Sequence, residues 1–404
     1  MGAFMGTTDG ARVLVVDDHE PNRLLLARLL ASLDCVIDMA AEGRAALAHL
    51  ESQPCDLVLL DIMMPVLDGY ETLRLLKADD RLRHLPVVVI SAVGDMESVA
   101  RCLEAGADDY LVKPFNPTLL RARVTGCIEK KRLRDREQAH LQALQGQLHL
   151  GRRIQADFLP ATLPAVHGWE IGARFQPAEE VAGDLYDVFE LHGRRLAFVV
   201  ADVCDKGFGA ALFMALLRTL LRVYPEHARP YNPATVGEQG LGRPTLGALT
   251  AIERTNEYVM AHHARTNMFA SVFFGLLETE SNRFLYVNAG HEPPLHVGIG
   301  GIKGRLTRTG SVVGAVAGVR YEWREVALER GDTIFIYTDG ITEARDPAGA
   351  FYSEKRLVER VEGLASAGTG ATALLEAIEK DVNDHVAGAE PSDDITMLAL
   401  SWLK

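Results

Sequence analysis

The chain has 404 residues, 48% hydrophobic and 24% charged, with a formal net charge of −13 at pH 7. That length is too great for one ordinary core and predicts two domains with a connector. The acidic balance argues against nucleic acid as the main partner and suits carboxylates gathered around divalent cations.

From the N-terminus, short β-branched runs alternate with helical patterns. Strands are predicted at Val13–Val16, Val36–Met39, Leu57–Leu60, Val87–Ile90 and Tyr110–Val112, and helices at Asn22–Leu33, Gly43–Leu50, Tyr70–Ala78 and Met96–Ala105. This alternation predicts a doubly wound parallel sheet, and continuous apolar runs such as Leu57–Leu60 suit strands buried on both faces. From Leu119 to Phe158 there is no proline and the spacing is helical, with Leu141, Leu144 and Leu148 in a short coiled-coil-like seam that predicts a dimerising helix. Its basic residues are interleaved with Glu129, Asp135 and Glu137, which reads as a solvated helix face rather than a nucleic-acid surface.

After Pro160 strands are predicted at Glu170–Phe175, Leu196–Val203, Ala270–Leu277, Phe284–Asn288, Thr333–Tyr337 and Ile395–Leu400, with helices at Gly209–Val223, Leu246–Met260, Glu354–Val361 and Ala371–Val386. Strands that follow one another without intervening helices predict an α+β domain with antiparallel pairing. The Pro- and Gly-rich stretch Pro225–Pro244 predicts a mobile surface loop. No stretch approaches the roughly 20 apolar residues of a membrane span, and Met1–Gly10 has neither region of a secretory signal. Cys35, Cys55, Cys102, Cys127 and Cys204 are scattered without a C-x-x-C pair, which predicts reduced thiols, no structural zinc and a cytoplasmic protein.

Two groups of acids carry the chemistry. In the first part Asp17 and Asp18 end the first strand, Asp61 the third and Lys113 the fifth, and in a doubly wound sheet these ends converge on one crevice. Three carboxylates so close require a divalent cation, magnesium by its oxygen ligands. One carboxylate can then attack phosphorus while Lys113 neutralises charge and Ser91 hydrogen-bonds a phosphoryl oxygen. The motifs V-L-V-V-D-D, L-L-D-I-M-M-P-V-L-D-G, V-I-S-A and Y-L-V-K-P-F resemble the two-component receiver family over about residues 11–125. The resemblance implies a flavodoxin-like fold and phosphorylation of Asp61 by a cognate histidine kinase. It also implies Mg2+ held by Asp17, Asp18, Asp61 and Met63, with Asp18 direct and Asp17 in support. Ser91 and Tyr110 match its switch positions, and Lys113–Pro114 matches a peptide commonly cis there.

In the second part Asp184 lies in V-A-G-D-L-Y-D, Asp202 in V-V-A-D-V-C-D-K-G, Asp339 in Y-T-D-G, and Asp393 with Asp394 in S-D-D-I-T. Acids at strand ends of a sandwich can meet on one edge and hold a pair of hard cations, about 3.5–4 Å apart, that activates water against a phosphate monoester. No Gly-x-Ser-x-Gly elbow or Cys-x5-Arg phosphate loop offers a nucleophile instead. The order and the stretches R-R-I-Q-A-D-F-L-P, Q-P-A-E-E-V-A-G-D-L-Y-D, V-N-A-G-H-E-P-P-L and I-Y-T-D-G-I-T-E-A-R resemble the SpoIIE-like, or RsbU-like, branch of the PPM phosphatases over roughly residues 150–404. That resemblance implies an α-β-β-α sandwich and two Mn2+ or Mg2+ held by Asp184, Asp202, the Val203 carbonyl, Asp339 and either Asp393 or Asp394. It further implies a phosphoserine or phosphothreonine substrate on a STAS-type anti-sigma-factor antagonist.

Cys204–Asp205 departs from the usual Ser–Gly pair, and Asp205 is read as a cap for the following helix; His291 is read as bracing its loop rather than as a general acid. The expected organisation is a receiver at 1–125, a helical linker at 126–157 and a phosphatase at 158–404, working as a homodimer. A catalytically silent adaptor that binds a sigma-factor regulator is the rival. A cyclic-dinucleotide synthase is set aside because A-G-D-L-Y-D lacks the next acid and a nucleotide-binding context.

Overall fold

A computed structural model describes residues 8, 10–92, 96–192, 194–226, 247, 249–366 and 368–403. The chain divides into two compact units, residues 1–144 and 145–404. In the first, β1 (Arg12–Val16), β2 (Val36–Ala40), β3 (Leu57–Asp61), β4 (Val87–Ser91) and β5 (Asp109–Val112) form a parallel sheet in the order β2-β1-β3-β4-β5. Helices α1 (Glu20–Leu30), α2 (Gly43–Ser52), α3 (Gly69–Ala78) and α4 (Met96–Glu104) alternate with the strands, and α5 runs from Pro117 to Ala156.

The strands are apolar on both faces because each face has its own core. Leu14, Val16, Val58, Leu60, Val87 and Val89 pack with Leu50, Leu73, Leu76 and Val99. Val13, Val15, Leu57, Leu59, Val88 and Ile90 pack with Leu26, Leu30, Leu120, Val124 and Ile128. This is the period-2 alternation of a sheet with helices on both sides. The strand order reverses direction at β1, which puts the crevice at the C-terminal ends of β1 and β3.

The second unit holds two antiparallel sheets. One has the order β13-β10-β9-β8-β7 and the other β12-β11-β14-β15-β6. Their strands are β6 (Trp169–Gln176), β7 (Leu185–Leu191), β8 (Arg195–Val203), β9 (Ala270–Glu278), β10 (Arg283–Ala289), β11 (Leu295–Gly298), β12 (Gly301–Arg305), β13 (Arg324–Ala327), β14 (Thr333–Tyr337) and β15 (Ile395–Trp402). Phe198, Phe273, Phe284, Tyr286, Ile334, Ile336, Leu398 and Leu400 fill the space between the sheets. Outside one sheet lie α6 (Phe208–Glu226) and α7 (Ala251–His262), and outside the other α8 (Glu354–Ser366) and α9 (Ala371–Val386). The layering is α-β-β-α.

β7, β11, β12 and β13 were not among the predicted strands. Helix α6 contains an 18-residue window long and apolar enough to cross a membrane, but Ala210, Phe213, Met214, Leu217 and Leu221 bury their side chains against the β7–β10 face. Pro225 and Glu226, expected to open the Pro225–Pro244 loop, are instead part of α6, and residues 227–244 of that loop lie outside the described residues.

Candidate active site and phosphoacceptor pocket

In the first unit the strand ends meet. Lys113 Nζ donates to Asp17 Oδ2 at 2.9 Å and to Asp61 Oδ2 at 2.8 Å. Asp17 is fully buried and also accepts from the His19 backbone N–H and Asn22 Nδ2. Asp18 is the more open of the pair, with Oδ1 2.9 Å from His19 Nδ1. Burial lifts the Asp61 carboxyl above its ordinary range, opposed by Lys113. The Ser91 hydroxyl is buried and finds no partner among the described residues, which suits a group waiting for a ligand oxygen. The Lys113–Pro114 peptide is cis, and Met63 lies beside Asp61 with an exposed side chain. The trio Asp17, Asp18 and His19 has donor atoms within 4.8 Å of one another, so His19 joins the pocket although the motif reading passed over it.

In the second unit four stretches meet on one edge where the two sheets open. Asp184 precedes β7, Asp202 ends β8, Asp339 follows β14, and Asp393 and Asp394 precede β15. Pairing of Leu185 with Ala201 sets Asp184 beside Asp202, and pairing of Tyr337 with Met397 sets Asp339 beside the Asp393–Asp394 turn. Gly340 is required there, because a Cβ would collide with the Asp394 carbonyl. A Cβ at Gly183 would stand 3.0 Å from the Val203 carbonyl, so glycine permits the close approach of these two segments.

Crowding shows in the acids' protonation. Burial pushes Asp202 up to about 7, with Asp339 and Asp393 adding repulsion. Burial pushes Asp339 up to about 6, with Glu343 and Asp393 behind it. Asp184 is raised well above the carboxylate range by burial and then by Asp202. Buried carboxylates that repel one another gain most from a multivalent cation, and an all-oxygen donor set selects a hard one. The residues therefore fit a pair of Mg2+ or Mn2+ ions.

The two acids of the Asp393–Asp394 pair have different surroundings. Asp394 spends one oxygen on the Ala178 N–H and the other on the Gly183 N–H, each at 2.8 Å. It braces the loop that carries Asp184. Asp393 stays partly open and faces Asp202 and Asp339, with Lys206 Nζ 3.2 Å away.

Several partners escaped the sequence reading. Asp184 Oδ2 accepts from Thr338 Oγ1 at 2.8 Å and Thr396 Oγ1 at 2.5 Å. Both threonines sit inside quoted motifs, one residue before Asp339 and two after Asp394, so adjacency was their only signal. Glu343 and Lys206 were likewise unmarked. The cap reading of Asp205 is corrected: α6 is entered through Gly207, whose carbonyl receives the Ala211 N–H, while Asp205 adopts a left-handed φ of 75° and accepts from Lys206 N–H. A left-handed residue there explains why glycine is the usual occupant. Cys204 is half-buried and its Sγ accepts from Phe269 N–H at 3.2 Å. His291 is buried, 2.9 Å from Ser271 Oγ through Nδ1, and burial drives it down to about 3. A ring that stays neutral braces its loop and is a poor proton donor.

The sequence profile described as Stage II sporulation protein E (SpoIIE) matches residues 192–403, and that of the response regulator receiver domain matches residues 13–125. The chain is 38% identical over 263 residues to Protein IcfG of Synechocystis sp., covering 63% of this chain and 41% of that protein. It is 34% identical over 228 residues to Response regulator PleD of Caulobacter vibrioides, covering 52% of this chain and 48% of that protein. It thus spans less than half the length of either curated relative. Among solved structures, the RsbU and RsbW domains of Rv1364c from Mycobacterium tuberculosis share 27% identity at a TM-score of 0.47, covering 61% of this chain and 63% of that one.

Proposed function

This chain belongs to the SpoIIE family, and from that premise we propose that it is a response regulator whose receiver domain controls a metal-dependent protein serine/threonine phosphatase. The reading keeps residues 1–125 as receiver, 126–157 as connecting helix and 158–404 as phosphatase. The observation that carries it is the convergence of Asp184, Asp202, Asp339 and Asp393 on one edge, where burial lifts the carboxyls of Asp184, Asp202 and Asp339 above their ordinary range.

In the phosphatase, Asp184, Asp202, the Val203 carbonyl, Asp339 and Asp393 would hold two divalent ions, and Asp394 would orient the Asp184 loop. Bound there, the ions would supply hydroxide at neutral pH and neutralise charge on the phosphoryl group. Thr338 and Thr396 fix one oxygen of Asp184. Lys206, tied to Asp393 and the Ser392 carbonyl, is placed to meet an incoming phosphate. In the receiver, an Asp61 oxygen attacks the phosphorus of a phosphohistidine on the cognate kinase, and the P–N bond breaks. Lys113 and Ser91 then hold the phosphoryl oxygens of the acyl phosphate on Asp61.

The proposed substrate is a phosphoserine or phosphothreonine on a STAS-type anti-sigma-factor antagonist, the protein works as a cytoplasmic homodimer, and neither nucleic acid nor membrane is a partner. Exposed Leu141 and Leu144 on α5 support the dimer. Modification of Asp61 is proposed to shift the population of phosphatase states through α5, one continuous helix of 40 residues.

The test is hydrolysis of a phosphorylated STAS protein. Turnover is expected to need Mn2+ and to fall at least about 100-fold in Asp339→Asn; equal turnover in that variant, or none in the wild type, would favour the silent adaptor. Beryllofluoride, an acyl-phosphate mimic, is expected to change the rate in the wild type and not in Asp61→Asn.

A further inference from the structure

The loop that carries Asp184 is gripped from two sides. Asp394 holds the backbone N–H groups of Ala178 and Gly183 from the β15 side. The opposite grip comes from Gln155, near the end of α5 and only 7% exposed. Its Nε2 donates to the Ala182 carbonyl at 2.5 Å, and its Oε1 accepts from the Ala182 N–H at 2.9 Å. A side-chain amide thus takes both hydrogen bonds of one residue, as the partner residue in an antiparallel sheet would. Ala182 is two residues before Asp184 and adjoins the glycine that permits close approach to the Val203 carbonyl.

Besides this grip, Gly151 of α5 lies close to Val181 of the loop, where a Cβ would stand 3.5 Å from its side chain. His149 and Arg152 approach Glu180 only at 3.7 Å, and a cavity of about 530 Å3 lies between Leu148, Arg152, residues 177–181 and Phe208. Contact is close at Gly151, one turn before Gln155, where a Cβ would stand 2.7 Å from the Phe208 ring at the start of α6. Two points on one helix face, Gly151 and Gln155, therefore register α5 against the two segments that flank the acidic edge.

We propose that Gln155 is a positioning residue for the metal-binding loop: its hold on Ala182 sets where Asp184 stands, so cation occupancy follows the placement of the last turn of α5. This deepens the phosphatase reading and rests on it. The arrangement gives α5 a point of purchase on catalysis without touching substrate.

The full chain with Gln155→Leu, and separately with Gln155→Glu, which turns a carboxylate toward the Ala182 carbonyl, decides the matter. Three readouts are taken: amide exchange of the 178–184 segment in EDTA-treated protein, Mn2+ binding by calorimetry, and Mn2+-dependent hydrolysis of p-nitrophenyl phosphate. Gln155→Leu loses both hydrogen bonds and is expected to speed exchange at Ala182 and to raise the Mn2+ needed for half-saturation by about tenfold, whereas Gln155→Glu keeps an acceptor for the Ala182 N–H and is expected to raise the Mn2+ requirement through repulsion of the Ala182 carbonyl. The rate lost at low Mn2+ returns at high Mn2+, and KM for the ester stays unchanged. Wild-type exchange and Mn2+ binding in either folded variant would overturn the proposal. Failure of the phosphatase reading looks different: the wild type would bind Mn2+ and hydrolyse nothing, while exchange and binding would still judge Gln155.

Discussion

Asp184 and Asp394 are both buried aspartates beside a strand, yet they are satisfied in different ways. Asp394 accepts two backbone N–H groups, which offset part of its burial. Asp184 has two threonine hydroxyls on one oxygen and repulsion from Asp202 around it. Motif spelling marked both positions and could not assign them, because the decision depends on which N–H groups the fold brings near. Asp202 allows a direct test. Its folded carboxyl sits near 7 against 3.8 for the ordinary group, with burial the main cause. Between about pH 4 and 7 the metal-free fold therefore holds a proton that the unfolded chain has released, and stability drains away as pH rises through that window. In EDTA, Asp202→Asn is expected to melt roughly 4–8 °C above wild type at pH 8, with the gap closing toward pH 4. A gap that is constant with pH would show that burial of this carboxyl's charge is not the cause.

Among the elements, long buried strands were easy to read and short ones were not, β11 with four residues included. β8, β9, β14 and β15 are buried along their length, so their apolar runs stand out. β12 and β13 lie at sheet edges, with short, half-exposed sequences that carry little signal. β7 escaped for another reason. Its pattern is broken by Asp187, 1% exposed, which takes Arg222 at 2.6 Å and Arg218 at 3.1 Å from α6. The cations that make a buried acid tolerable lie some 30 residues further along the chain, beyond any local pattern. Asp187→Ala would leave both guanidinium groups against the β7–β10 sheet without a counter-charge. It is expected to cost about 3 kcal/mol in urea unfolding of the second unit; a loss under about 1 kcal/mol would mean that solvent already screens the pair.

For the molecule as a whole, two units with separate cores predict two responses to ligands. Mg2+ with beryllofluoride is expected to raise the melting of the unit holding Asp61, and Mn2+ that of the unit holding Asp202, each by mass action. Asp61→Asn should abolish only the first shift and Asp339→Asn weaken only the second, read by calorimetry on the full chain. A shared shift in both variants would show that the units melt as one. Much of this organisation was legible in the amino-acid order: the alternation of strands and helices, the change of grammar after Pro160, and the acids at strand ends. Those features depend on neighbours within a few positions, where periodicity and strand termination are decided. The hydrogen bonds that Asp394 makes and Asp393 does not, the threonine hold on Asp184 and the Gln155 grip were decided by tertiary structure. These contacts join residues 27 to 216 positions apart, and desolvation and hydrogen-bond pairing exist only once the fold has closed around them.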